Sequence, residues 1–94
     1  MLKCVVIYNP NSGKLTNRNE MKKVYKILEN YGYETEIIYT EYKGHAKKIT
    51  MKLKNVDLLL CAGGDGTLNE VISGNIERRH PILLGLIPLG SVND

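Results

Sequence analysis

Short apolar runs alternate along this chain with segments whose apolar residues recur every three or four positions. Lys3–Asn9, built around Val5, Val6 and Ile7, reads as a strand. A turn is expected at Asn9–Gly13, then a helix from near Asn17, where Glu20 three residues on completes a capping box. Met21, Val24, Ile27, Leu28 and Tyr31 form the predicted inward face of that helix, and Gly32 its stop. Glu34–Thr40 alternates on Thr35, Ile37 and Tyr39, the pattern of a strand near a sheet edge. A second helix is expected from about His45, with Gly44-His45 as its start signal and Ala46, Ile49 and Leu53 inward. Leu58–Ala62 is an unbroken apolar run of the length of a strand buried on both faces. Leu68, Val71, Ile72 and Ile76 return to helical spacing, and Ile82–Ile87 is a fourth strand before Pro88.

This βαβαβαβ order predicts an α/β fold: a Rossmann-like three-layer domain with a mostly parallel sheet and helices on both faces. Ligands in such sheets bind beyond the C-terminal strand ends. Three loops fall there, Asn9–Gly13, Gly63–Thr67 and Pro88–Asp94, and they hold the unusual residues. The chain ends on a polar turn after a strand that would be left as an apolar edge. The expectation is a fragment of a longer protein.

The second of those loops carries the most chemistry. Gly63, Gly64 and Gly66 surround Asp65 between a buried strand and a helix start. Glycines let backbone N–H groups approach a phosphate, and the helix N-terminus adds favourable partial charge. A carboxylate there would repel an anion unless a cation lies between them, so Asp65 points to magnesium-nucleotide chemistry or proton transfer. Its bland alternative is a turn or N-cap aspartate.

Ninety-four residues allow one domain, with apolar and charged fractions of an ordinary soluble protein. The sequence offers neither a spanning helix nor a signal peptide, so a cytoplasmic location is expected. Cys4 and Cys61 fall inside strand patterns and read as reduced core thiols. Residues 1–56 carry eleven Lys or Arg against five Glu, whereas residues 57–94 carry two Arg against five acids. Lys43, Lys47, Lys48, Lys52 and Lys54 cluster around the second helix. That cluster reads first as a solvated face and otherwise as an attraction for anionic head groups. No recognition pattern for nucleic acid accompanies it.

Three motifs complete the reading: N-P-N-S-G-K at Asn9–Lys14, G-G-D-G-T-L-N-E-V at Gly63–Val71 and P-L-G-S-V-N-D at Pro88–Asp94. In this order and spacing the chain resembles the diacylglycerol kinase catalytic domain family, which includes bacterial lipid kinases and is similar to sphingosine kinases. The middle motif is shared with NAD kinases and phosphofructokinases, and the outer two make the resemblance specific. Ser91 stands where the family usually has Thr, which keeps the hydroxyl.

The resemblance implies that residues 1–94 are the N-terminal, ATP-binding lobe of a lipid kinase, inactive without its C-terminal lobe. It implies ATP and Mg²⁺ as cofactors and a lipid hydroxyl as acceptor, with possible peripheral contact at the inner membrane surface. Nucleotide contacts would come from Asn9, Pro10, Asn11, Ser12, Gly13, Thr40, Gly64, Asp65, Gly66, Thr67, Leu68, Asn69, Glu70 and Ser91. Asp65 would organise magnesium or take the acceptor proton, and Asp94 would join it in an acidic metal network. The residues themselves leave other roles open. Thr40 can be a plain strand residue, Lys14 a solvated loop lysine, and Glu70 a charge that steadies the first turn of its own helix. His45 and His80 read as structural. A NAD-kinase-like phosphotransferase and a non-catalytic anion-binding module are the alternatives.

Overall fold

Strand-forming and helix-forming segments fold where the periodicity places them. The computed structural model describes residues 1–10 and 18–87, apart from the side chains of Arg18 and Asn19. The elements run β1 (Leu2–Tyr8), α1 (Arg18–Asn30), β2 (Tyr33–Tyr39), α2 (His45–Lys52), β3 (Leu58–Ala62), α3 (Asp65–Ile76) and β4 (Leu83–Ile87). The four strands form one parallel sheet in the order β2-β1-β3-β4. β2 is an edge strand, as its alternation predicts, and β4 closes the other edge with Leu83 and Leu86 exposed. The capping-box Asn17 lies outside the described residues.

Alternate residues of the central strands enter two separate cores. Val5 and Ile7 of β1 and Leu59 and Cys61 of β3 pack with Ala46, Val71 and Ile82 beneath α2 and α3. Cys4, Val6, Tyr8 and Ala62 point the other way, onto Met21 and Leu28 of α1. β1 therefore buries both faces from Cys4 to Tyr8, which is why it reads as a β-branched run with no polar alternation. Both cysteines are free and buried, and burial pushes each thiol up to about 11.

Glycines end or begin helices at two sites where the backbone is left-handed. Gly32, just past α1, has φ 91°, and Gly44, at the N-cap of α2, has φ 93°. A third glycine serves packing. A Cβ at Gly74 would sit 2.9 Å from the Lys47 carbonyl oxygen and 3.1 Å from Thr50 Cβ, so its absence lets α3 press against α2.

Four apolar positions depart from the sequence expectation. Ile27 of α1 and Tyr31, in the turn just past its end, are 54% and 76% exposed, because α1 buries only the narrow stripe through Met21, Val24 and Leu28. Ile72 and Ile76 of α3 are 37% and 72% exposed. There the helical spacing is right but the buried face is rotated, running through Thr67, Val71, Gly74 and Asn75 so as to meet α2 as well as the sheet.

Candidate functional site

In this strand order the chain leaves β1 toward β2 and later returns past β1 to β3. Consecutive connections therefore diverge at the C-terminal ends of β1 and β3, the switch point where such sheets open a crevice. The two strand ends are tied by the Asn9 amide, which donates to the Ala62 carbonyl at 3.1 Å. The Asn9 side chain crosses the same gap, its Nδ2 donating to Thr67 Oγ1 at 3.2 Å. The end of β2 joins through the Thr40 amide, which donates to the Tyr8 carbonyl at 2.9 Å.

Above these ties lies a cleft of about 360 Å³. Asn9 and Thr40 form its floor, Gly66, Thr67 and Glu70 of α3 one wall, and Glu41, Tyr42 and Lys43 the other. Helix α3 starts abruptly there. Gly64 is its N-cap in an extended conformation and lends no side chain to the cap. Leu68 is the amide that reaches the Gly64 carbonyl, at 3.1 Å, so the amides of Asp65, Gly66 and Thr67 precede the first intrahelical partner. A Cβ at Gly66 would meet nothing within 4 Å, so this turn opens into the cleft. The chemistry available is donation of several N–H groups, with two hydroxyls, to an anionic or polar ligand.

Asp65 occupies the first helical position and is exposed, not the N-cap that its bland reading would make it. Among the described residues its carboxylate has no hydrogen bond or ion pair. No group of three or more His, Cys, Asp or Glu side chains gathers among them to form a protein-only metal site. Asp65 alone suits magnesium, which is commonly held by one or two carboxylates together with substrate phosphates.

Glu70, which lines the cleft, also has a role that neither sequence reading named. Its Oε2 accepts the Gly44 amide at 3.0 Å and its Oε1 the Ala46 amide at 3.2 Å, so it caps α2 from across the fold. The opposite end of α2 is held by Arg78, whose guanidinium donates to the Thr50 and Leu53 carbonyls at 2.9 and 2.7 Å. An anion at the N-terminus and a cation at the C-terminus both complement the helix dipole.

The structure thus gathers Asn9, Thr40, Gly66, Thr67 and Glu70 around one cleft. Pro10, Gly64, Asp65, Leu68 and Asn69 adjoin them in sequence. Asn11, Ser12, Gly13, Lys14, Ser91 and Asp94 lie outside the described residues. His45 is structural, as expected: its Nδ1 accepts the Glu41 amide at 2.9 Å and its ring stacks on Tyr42 at 4.4 Å. Of the Glu41–Lys43 wall, the sequence marks only Lys43, as part of the lysine cluster around α2. The signal for the wall was its position between a strand end and a helix start on the ligand edge of the sheet.

The arrangement defines a parallel α/β domain with a cleft at its switch point. Residues 3–94 match the family model described as Diacylglycerol kinase catalytic domain. The chain is 43% identical over 97 residues to a diacylglycerol kinase of Staphylococcus haemolyticus (strain JCSC1435), covering 100% of this chain and 29% of that protein. It is 45% identical over 91 residues to one from Staphylococcus aureus (strain JH9), covering 95% of this chain and again 29% of the relative. Among solved structures, a diacylglycerol kinase from Bacillus anthracis str. Sterne superposes with a TM-score of 0.82 at 30% identity, over 98% of this chain and 32% of that one. The chain belongs to the diacylglycerol kinase catalytic domain family and spans about a third of the length of these relatives.

Proposed function

We propose that this chain is the N-terminal, ATP-binding lobe of a lipid kinase that transfers the γ-phosphoryl group of ATP to a lipid hydroxyl such as that of diacylglycerol. The carrying observation is the polar cleft at the β1–β3 switch point, open at the start of α3, in a chain that matches the family from residue 3 to residue 94. Phosphoryl transfer asks a protein mainly for positioning and charge neutralisation. The first-turn amides of α3 and the Thr67 hydroxyl would hold phosphate oxygens, with Asn9 and Thr40 beneath the nucleotide. Asn11–Gly13 and Ser91 would complete the pocket.

Asp65 is the candidate for the acceptor proton and for magnesium, which when bound would neutralise the phosphates beside it. Asp94 would support it through water. No helix among the described residues is long and apolar enough to cross a membrane. The proposed setting is the cytoplasmic side of a membrane, met peripherally, a reading supported by the exposed Lys43, Lys48, Lys52 and Lys54, which offer attraction to anionic head groups. Choice among lipids would rest with the second lobe of the family.

The test is phosphoryl transfer from magnesium-ATP by the protein produced from its complete reading frame, offered diacylglycerol, phosphatidylglycerol, sphingosine and NAD in parallel. The 94 residues alone serve as the low-activity control. Transfer to a lipid alcohol, lost in Asp65→Ala, is expected. Transfer to NAD alone would replace the reading with a NAD-kinase-like one. No transfer, with anion binding that depends on Lys47, Lys48 and Lys52 but not on Asp65, would leave a non-catalytic module.

A further inference from the structure

Helix α2 cannot cap itself. Its N-cap is Gly44, without a side chain, and the next residues, His45 and Ala46, bring no carboxylate. The two orphan amides of Gly44 and Ala46 instead meet Glu70, 26 and 24 residues further along the chain, one to each carboxylate oxygen. Each carboxylate oxygen spends one acceptor site on a backbone donor, which ties the Glu70 side chain to the first turn of α2.

What that capped turn holds is the cleft wall. The segment from Thr40 to Lys43 is anchored at one end by the Thr40 amide on the Tyr8 carbonyl, 2.9 Å, and ends at the other on Gly44. Between the two, the wall is fastened to the first residue of α2. The Glu41 amide donates to His45 Nδ1 at 2.9 Å, the His45 amide donates to the Tyr42 carbonyl at 3.1 Å, and the two rings stack. Any shift of the first turn of α2 therefore carries Glu41, Tyr42 and Lys43 with it. Glu70 lies four residues beyond Gly66 on α3, so one helix presents the glycine turn and sets the wall opposite it.

We infer that Glu70 is a positioning residue, which fixes the width of the cleft by holding the Thr40–Lys43 wall through α2. The inference rests on the reading of the cleft as an ATP site. Arg78 is the natural control, because it grips the far end of the same helix through the Thr50 and Leu53 carbonyls and lines no part of the cleft.

The experiment uses the protein from its complete reading frame and compares Glu70→Gln, Glu70→Asp, Glu70→Ala and Arg78→Ala. It measures magnesium-ATP dissociation constants, KM and kcat, and amide hydrogen exchange at Gly44 and Ala46. In Glu70→Ala, exchange at those two amides is expected to rise and ATP affinity to fall by about tenfold or more, the scale of one charge-assisted hydrogen bond. KM should move more than kcat. Glu70→Gln, which keeps one acceptor oxygen, should fall between, so that affinity tracks protection of Gly44 and Ala46 across the series. Arg78→Ala should lower thermal stability and leave the dissociation constant unchanged.

Loss of ATP binding in Glu70→Gln with both amides still protected would overturn the inference, since the carboxylate would then meet the ligand directly. So would unchanged affinity in Glu70→Ala once those amides are released. Should Glu70→Ala fail to fold, the Gln and Asp variants decide on the same criteria. Wild-type protein without ATP affinity is a different pattern, and would remove the nucleotide reading and this inference together.

Discussion

The two ends of the sheet are both rich in polar residues, and they spend them differently. At the N-terminal ends of the strands, polar side chains are taken up by backbone groups. Asp57 Oδ2 accepts the Lys3 amide at 2.8 Å, while the Asp57 amide donates to the Lys3 carbonyl at 2.8 Å. Asn75 exchanges two hydrogen bonds with Ile82, donating to its carbonyl at 2.8 Å and accepting its amide at 2.9 Å. Arg78 closes the last turn of α2. At the C-terminal ends, Gly66 and Thr67 at the start of α3 line a cleft instead, and the neighbouring Asp65 carboxylate is exposed, with no hydrogen bond or ion pair among the described residues. Polar composition does not mark the functional end. What marks it is polar groups left unspent in a concave place, beside helix ends that a ligand can complete.

The largest way to test that contrast is to remove charge at the open end. Asp65→Asn is expected to lower kcat for phosphoryl transfer by about 10²–10⁴-fold, the range for loss of a positioned acid or base. Its cost to the fold should not exceed the ~0.3–1 kcal/mol of a helix-dipole contact. Urea unfolding and single-turnover kinetics on the same preparation would check both. A large loss of stability with Asp65→Asn would show that this end, too, spends its polar groups on the fold.

Removing a side chain at the closed end should do the reverse. Asn75→Ala leaves the amide and carbonyl of Ile82 without partners in a position that is 8% exposed. Buried unsatisfied groups cost about 1–3 kcal/mol each, so for the two a destabilisation of about 2–6 kcal/mol is expected, read from urea midpoints at constant slope. Activity of the remaining folded protein should be unchanged.

The difference between the ends also explains what the sequence can convey. The order of elements along the chain, the buried run of β3, the end of α1 near Gly32 and the start of α2 at Gly44 follow from local spacing and backbone chemistry, which neighbouring residues display. The glycine turn was legible because three glycines around a carboxylate are unusual after a buried strand. The roles of Glu70, Asn75 and Arg78 were not. Glu70 and Arg78 act on backbone groups at least 24 residues away, and a backbone amide or carbonyl has no sequence signature. For Glu70 one clue existed: a helix opening Gly44-His45-Ala46 lacks a cap of its own, so another element must supply it. Ile27, Tyr31, Ile72 and Ile76 misled because periodicity gives the spacing of a helix, while the rotation of its buried face is set by the partner it meets.

Between the two ends, the centre of the sheet offers a probe that belongs to neither. Burial raises the thiols of Cys4 and Cys61 from the ordinary 9.0 to about 11. The unfolded chain therefore loses these protons first as pH rises. The stability tied to the neutral thiols is full below pH 9 and is lost progressively toward pH 11. Cys4→Ala/Cys61→Ala should flatten that part of the alkaline stability profile, although the two truncations lower stability throughout. An equally steep decline in the double variant would show that the thiols are not its origin. Iodoacetamide should label either thiol only at the rate of unfolding near neutral pH.

The smallest expected effect on the fold is also the sharpest test of the open end. Gly66 sits in the first turn of α3, where a Cβ would meet no atom within 4 Å. Alanine is favoured over glycine inside a helix by roughly 0.5–1 kcal/mol, so Gly66→Ala should leave stability unchanged or raise it by up to that amount. The same methyl would stand in the space that a phosphate needs if the first-turn amides hold it, and magnesium-ATP affinity should fall. Stability and binding would then move in opposite directions through one methyl group. At Gly74, where the Lys47 carbonyl lies 2.9 Å from the added carbon, alanine has no such room and its cost falls on the fold. A Gly66→Ala protein that binds ATP as tightly as the parent would mean that the ligand keeps clear of the helix start, and the phosphate cradle would have to be sought elsewhere on the cleft.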